Sequence, residues 1–344
     1  MNKEFLESMI QTCSVSGHEE KLQRKVIEYM KPVCDEILSD ATGNVISVLN
    51  PKSDTKVLLC GHIDEIGFIV KSIESNGMIK VLNAGGVRCG QYLGTHVEIH
   101  NANGIVNGVI ITNSSLLKNK DLSSDDLTID IGATSKEDAL KVVSIGDPIC
   151  ASVDFKYLLN NRVAARAFDN RIGAFIVLEA LRKAKDKGCK IGVYSATTVG
   201  EETTMRGAHW VSQKVKPTVA IAVDVTFTND YAGANASGDV SLDGGPVLCY
   251  SSIVNKKLNE VLKKCAQDLN LHLQYEVCAG RTGTDADKVH FTNDGVPVAL
   301  VSIPLRYMHS SIETLSLKDV QEIIDLLAEF LCQFDNTVEL NPLI

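Results

Sequence analysis

Long apolar runs, paired cysteines and surplus positive charge are all missing from this 344-residue chain. No apolar stretch approaches the ~18–20 residues of a membrane-spanning helix, which excludes a helical membrane protein. The opening MNKEFLESMIQ carries acidic residues early and reads as an amphipathic helix. It lacks the basic-then-apolar pattern of a signal peptide, so a cytoplasmic location is expected. The ten cysteines are scattered, with no CxxC pair and no zinc-ribbon spacing. They are expected to be reduced core residues. A net charge of −9 without a basic patch argues against nucleic acid and anionic membranes as partners. Neither an internal repeat nor a low-complexity tract is present. The single tryptophan, Trp210, is expected in the core.

Apolar residues make up 44% of the chain, enough for a sizeable core, and the length suggests about two domains. Helices are expected at 2–11 and 19–31, with Ser16 and Glu19 as a capping box for the second. Strands at 33–38 and 44–49 flank the turn DATGN. The next strand, 56–64, is apolar on both faces and reads as a central, parallel strand. From 70 to 155, short alternating strands separated by Gly, Asn and Asp predict a small β-barrel or sandwich, with one short helix at 136–143. Beyond 160 come helix 170–187, strand 191–199, helix 204–214, strand 218–225, helix 253–269, strands 272–278 and 297–304, and helix 316–333. The alternation predicts an α/β fold, a mixed and mostly parallel sheet with helices on both faces. The expected division is 1–69 with 156–344 as the α/β domain, interrupted by a β-domain at 70–155.

Five segments each carry side chains suited to a divalent metal. They are LLCGHIDEIGF (His62, Asp64), AFDNRIG (Asp169), TTVGEET (Glu201, Glu202), AIAVDVT (Asp224) and RYMHSSIE (His309). Open α/β sheets bind ligands outside the carboxyl ends of their strands, so these segments can converge at one sheet edge. His62 and Asp64, two apart, face the same side of an extended segment. A metal-bound histidine gives its other N–H to a carboxylate, a role that suits Asp64. The adjacent side chains of Glu201 and Glu202 diverge, so one can ligate while the other serves as general base. Two metals ~3.5–4 Å apart need a bridging ligand and share an activated water. Asp169 is the natural bridge, and it is also expected to cap the helix it opens. The expected sets are His62 and Asp224 on one metal, Glu202 and His309 on the other, and Asp169 across both. Imidazole and carboxylate donors suit Zn²⁺, and also Co²⁺ or Mn²⁺.

Taken in order, SGHE (16–19), GHIDEIGF (61–68), AFDNR (167–171), VGEE (199–202), AVDVT (222–226), TGTDAD (282–287) and PLRYMHS (304–310) make a specific set. Over nearly its full length the chain resembles the glutamyl or tetrahedral (TET) aminopeptidases, a family of two-metal peptidases. The resemblance implies a zinc-peptidase-like α/β fold with an inserted small β-barrel/PDZ-like domain used for dimer contacts. It implies Asp64 as the histidine-orienting aspartate, Glu201 as the base, and His62, Asp169, Glu202, Asp224 and His309 as ligands of two divalent ions. Short peptides would be the substrates, and the assembly a dimer-based homo-oligomer, commonly a dodecamer. Two departures bear on the substrate pocket: Arg281 precedes TGTDAD, and DVTFTND replaces the commoner histidine-bearing continuation after Asp224. Arg281, Thr284 and Asp285 are candidate substrate-binding residues.

A two-metal carboxypeptidase or N-acyl amino-acid deacylase would use the same ligands. A glycosidase needs two carboxylates facing each other across a sugar, and no such pair stands out. A non-enzymatic scaffold would not need the retained base. Outside the set, His96 and His100 are expected at a surface or interface, and His18, His209, His272 and His290 as structural residues. Asp285 and Asp287 are expected to cap a helix, and Arg306 to form an ion pair near the site.

Overall fold

The computed structural model describes residues 1–152, 154–234 and 238–344. Helices α1 (Lys3–Gln11) and α2 (Glu20–Met30) precede strands β1 (Glu36–Ser39), β2 (Val45–Leu49) and β3 (Lys56–His62). Six strands follow: β4 (Gly67–Ile73), β5 (Ile79–Ala84), β6 (His96–Asn101), β7 (Gly104–Ile110), β8 (Thr128–Asp130) and β9 (Pro148–Ala151). They close into a barrel in the order β4-β5-β8-β7-β6-β9, with the short α3 (Lys136–Ala139) alongside. Strands β10 (Lys156–Tyr157) and β11 (Arg162–Ala165) lead into α4 (Phe168–Asp186) and β12 (Gly192–Thr198). Then come α5 (Glu201–Thr204), α6 (Arg206–Val215), β13 (Val219–Phe227), β14 (Val247–Ser251) and α7 (Lys256–Asp268). The chain ends with β15 (Gln274–Cys278), α8 (Ala286–Val289), β16 (Val298–Leu305), β17 (Glu313–Ser316) and α9 (Leu317–Gln333).

The large sheet runs β1-β2-β12-β3-β13-β16-β14-β15. Its middle four strands, β12, β3, β13 and β16, are mutually parallel, while β2 and β14 run against them. The two-sided apolar pattern of β3 and β13 is what such a position requires, since helices cover both faces. On one face α1, α2, α4, α7 and α9 bury the larger core, including Phe168, Phe175 and Phe330. On the other, α6 and α8 cover Leu58, Ala196 and Leu300. Each such fully buried leucine or phenylalanine side chain contributes about 1.5–3 kcal/mol. Helix α4 sits close on β3 because both contact points are glycine: a Cβ at Gly61 would lie 2.5 Å from the backbone of Gly173 and Ala174. The barrel has its own core around Phe68, Val97 and Ile129.

The fold class is as expected, a mixed α/β sheet interrupted by a small β-barrel, and several local expectations need correction. The expected helix at 136–143 ends at Ala139. Strand β14 was not foreseen; it pairs antiparallel with β16 and splits the expected return of the strand–helix alternation. No capping box forms at α2, because Glu19 accepts from Gly17 N (2.8 Å) while the Ser16 hydroxyl meets Thr203 Oγ1 (3.2 Å). Trp210 is half exposed, since α6 buries its small face of Gly207, Ala208, Val211 and Val215 instead. All ten cysteines are free, but Cys332 is exposed and Cys34 and Cys278 are only partly buried.

Candidate metal centre

The four parallel strands point their carboxyl ends at one edge, and the expected ligands gather there. His62 ends β3, Asp224 lies near the end of β13, Glu201 and Glu202 start α5 just past β12, and His309 follows β16. Asp169 lies in the first turn of α4 with non-helical backbone angles (φ −73°, ψ 108°), and the cap it was expected to provide comes from its neighbour instead: Asn170 Oδ1 accepts from Gly173 N (3.1 Å). Asn170 fastens this turn to β13: its side-chain amide donates to Val223 O (2.7 Å) beside Asp224.

Asp169 stands between the two histidines. Its Oδ1 is 3.4 Å from His62 Nε2 and its Oδ2 is 3.2 Å from His309 Nε2. Asp224 Oδ1 lies 3.9 Å from His62 Nε2, and Glu202 Oε2 lies 3.9 Å from His309 Nε2. Two groups with metal-ligand spacing result, His62–Asp169–Asp224 and Asp169–Glu202–His309, sharing Asp169. His309 adopts φ +64°, a left-handed conformation uncommon for a non-glycine residue.

Asp64 does more than face His62. His62 Nδ1 hydrogen-bonds the Asp64 backbone oxygen at 3.2 Å with the carboxylate Oδ1 beside it at 3.4 Å, and the two carboxylate oxygens accept the backbone N–H groups of Glu201 (3.0 Å) and Glu202 (3.2 Å). One carboxylate thus positions a ligand histidine and the turn bearing both glutamates. Glu201 Oε2 is 3.5 Å from His62 Nε2, so the base candidate stands beside the first ligand group.

Glu313 performs the same service for the second group and was not foreseen. It accepts from Asp169 N (2.9 Å) and His309 N (3.0 Å). The sequence signal was faint: an acidic residue four positions after His309, opening the short, fully buried strand ETLS. A second unforeseen network lies beneath. The fully buried Arg171 and the nearby Arg166 both pair with Glu65. Arg171 also donates to Met9 O, Ile10 O and Ser14 Oγ, which ties the start of α4 to the N-terminal segment.

The charges crowd. Burial pushes the Glu201 carboxyl up to about 9, helped by Asp224, Asp285 and Asp169. Burial, with Asp169, holds Glu202 and Asp224 well above the usual carboxylate range. Burial opposes charge on Asp169 too, but the imidazoles of His309 and His62 hold its carboxyl below the usual value. Burial alone would depress His62, yet Glu201, Asp169, Asp64 and Asp224 raise it well above its ordinary value. Among the described residues, Glu202 Oε1 is buried without a hydrogen-bond partner. So many carboxylates can all ionise only beside added positive charge, and an orphaned carboxylate oxygen is a ready ligand. The residues present fit divalent metal.

A cavity of about 780 Å³ opens over this floor. Phe227, Val277, Met308 and Leu300 give it an apolar wall, and Arg281, Lys288 and Glu276 add charge. Of the candidate substrate residues, Arg281 and Thr284 line the cavity. Asp285 is 2% exposed and lies behind it, accepting from Thr198 Oγ1, and burial pushes its carboxyl up to about 6. It makes no cap hydrogen bond. Asp287 instead accepts from Thr282 N and Gly283 N, bracing the loop before α8. Arg306 pairs with Asp230 at 2.6 Å.

Curated relatives and solved structures resemble this chain over nearly its whole length. A putative aminopeptidase of Acetivibrio thermocellus is 35% identical over 332 residues, spanning 96% of this chain and 98% of its own length. A TET aminopeptidase from a marine sediment archaeon of the Thaumarchaeota superposes with a TM-score of 0.92 at 33% identity, covering 98% and 97% of the two chains. The Pyrococcus horikoshii TET1 peptidase, described as assembling into a tetrahedron or a large octahedral shell, gives 0.86 at 30% identity, covering 96% and 99%. The family profile described as M42 glutamyl aminopeptidase matches residues 43–326. A match over most of the sequence, with relatives of the same length and fold, places this chain in the M42 glutamyl aminopeptidase family.

Proposed function

We propose that this aminopeptidase removes single N-terminal residues from short peptides, with Glu201 as general base above a two-metal floor. The observation that carries the proposal is Asp169, whose two oxygens face His62 and His309 separately at 3.4 and 3.2 Å. His62 and Asp224 would hold one ion, Glu202 and His309 the other, and Asp169 both. Imidazole and carboxylate donors favour Zn²⁺ or Co²⁺, with Mn²⁺ also accommodated. Two such ions, when bound, polarise the scissile carbonyl and acidify a water between them. Glu201 takes that water's proton and returns it to the departing amine. Asp64 keeps His62 oriented and fixes the α5 turn, so the base stays on the reactive side. The substrate's free N-terminal amine would lie against the second ion's site and the carboxylates beside it, which would confine cleavage to one residue from the end. Arg281 and Thr284 line the wall that would meet the substrate; Asp285 acts from behind through Thr198.

A paired-peptide assay tests this. Peptides with free N-termini should be trimmed, whether or not their C-termini are amidated, while N-acetylated copies should be inert. Efficient cleavage of the acetylated copies would point to a deacylase. Dependence on a free C-terminus would point to a carboxypeptidase. The inserted barrel, with Ile105, Val109 and Leu117 exposed, is proposed to carry subunit contacts in a dimer-based assembly, a dodecamer if it follows the tetrahedral relatives. Light scattering on the full chain checks the mass.

A further inference from the structure

We propose that Cys13, His100 and Cys150 form a third metal site, a Zn²⁺-type site that shares no ligand with the two-metal centre. The three come from separate places: Cys13 from the segment after α1, His100 from β6 and Cys150 from β9. Their ligand atoms lie within 4.8 Å of one another, and Cys150 Sγ is 3.6 Å from His100 Nε2. Zn–S and Zn–N bonds of ~2.3 and ~2.0–2.1 Å meeting at a tetrahedral angle put sulfur and nitrogen roughly 3.6 Å apart. Both cysteines are buried, at 5% and 0% exposure, while His100 is only partly buried.

Cys13 and His100 also line a separate pocket of about 340 Å³, together with His18 and Glu20. The arrangement therefore offers three protein ligands and a fourth position open to solvent or to a nearby side chain. Glu98 Oε2, 3.2 Å from the same imidazole nitrogen, is the group that the ion would displace or recruit. Two thiolates and an imidazole select a softer ion than the oxygen-rich catalytic floor does. One chain would thus sort two kinds of metal by donor type. Cys13 belongs to the α/β domain, and His100 and Cys150 to the barrel, so the ion would clip the two together. The cysteines expected as inert core and the histidine expected at a surface acquire a joint role.

The test uses the full-length enzyme, stripped by chelation under reductant and titrated with Co²⁺. Expected are three ions per chain and a thiolate-to-cobalt charge-transfer band in the near-ultraviolet, which nitrogen and oxygen ligands do not give. The Cys13→Ser/Cys150→Ser variant should bind one ion fewer and lose the band. His100→Ala, at a partly exposed position, should weaken the third ion at least tenfold even if the buried cysteine changes harm folding. Both should keep aminopeptidase activity at saturating Co²⁺. Binding of only two ions without a charge-transfer band would overturn the site. So would a band that survives in both variants, or a Cys13–Cys150 disulfide found in the enzyme as purified.

Discussion

Replacing Glu201 by Gln removes one acid–base group and little else. The backbone of Glu201 is held by Asp64 Oδ1 at 3.0 Å, so the isosteric amide keeps the turn in place. A general base contributes typically 10²–10⁴-fold, or about 2.7–5.4 kcal/mol at 1.36 kcal/mol per tenfold. The expected result is a loss of that size in kcat, with KM near the original value and metal content unchanged. Hydrolysis of an aminoacyl p-nitroanilide gives the rates, and elemental analysis of the dialysed variant gives the metal. Metal content is the discriminating readout, because His62, Glu201 and Glu202 also form a group with ligand spacing. If Glu201 ligated, the variant would lose an ion and its activity together, and excess metal would restore part of it. Activity within about threefold of the parent, or rescue by added metal, refutes the assignment of the base.

Three further outcomes follow from the same geometry. Asp64→Ala leaves two backbone N–H groups without their acceptor and removes the charge beside His62 Nδ1, whose bond to the backbone oxygen remains, and should cost about 10–100-fold in metal affinity or activity, read by metal titration. Glu313→Gln keeps one acceptor oxygen of two, so the grip on Asp169 N or His309 N is lost; a second metal that dissociates ~10–100-fold more readily is expected, with a smaller loss at the first, which shares only Asp169. Chelated enzyme should melt at falling temperature as pH rises from about 5 to about 9. Glu201 goes from 4.5 to about 9 on folding and His62 is also raised, so the folded state holds more protons across that window and loses stability as they leave. Saturating Zn²⁺ should flatten the profile; a flat profile without metal would contradict the charge crowding.

The site was legible where a single side chain at a strand end carried the chemistry. His62, Asp224 and the Glu201–Glu202 pair follow apolar runs whose two-sided pattern marks central strands, and the parallel order of those strands brings their ends together. What stayed hidden acts through backbone. Glu313 binds two N–H groups, and no residue type or spacing announces which N–H groups a carboxylate will find. The Glu65–Arg171 network was hidden for a related reason: it joins residues over a hundred positions apart that each look like ordinary surface charge. The Cys13–His100–Cys150 cluster spans α1 to β9, so its spacing matches no local metal motif. Strand β14 failed differently, because five residues of strand beside the long helix α7 carry too little periodicity to stand out.

The barrel insertion also reaches the chemistry. After β5 the chain passes Gly85 and Gly86, and Gly86 lines the catalytic cavity. A Cβ on Gly86 would sit 3.1 Å from the His309 ring, and one on Gly85 would sit 3.2 Å from Glu202 Cβ. The second ligand group is therefore packed from one side by the barrel and fixed from the other by Glu313. A side chain at either glycine would press on these ligands, so the approach of the insertion to the second group depends on both glycines. The position of the barrel on the α/β domain is thus part of the metal centre's geometry, and contacts at their junction bear on the second ion more than on the first.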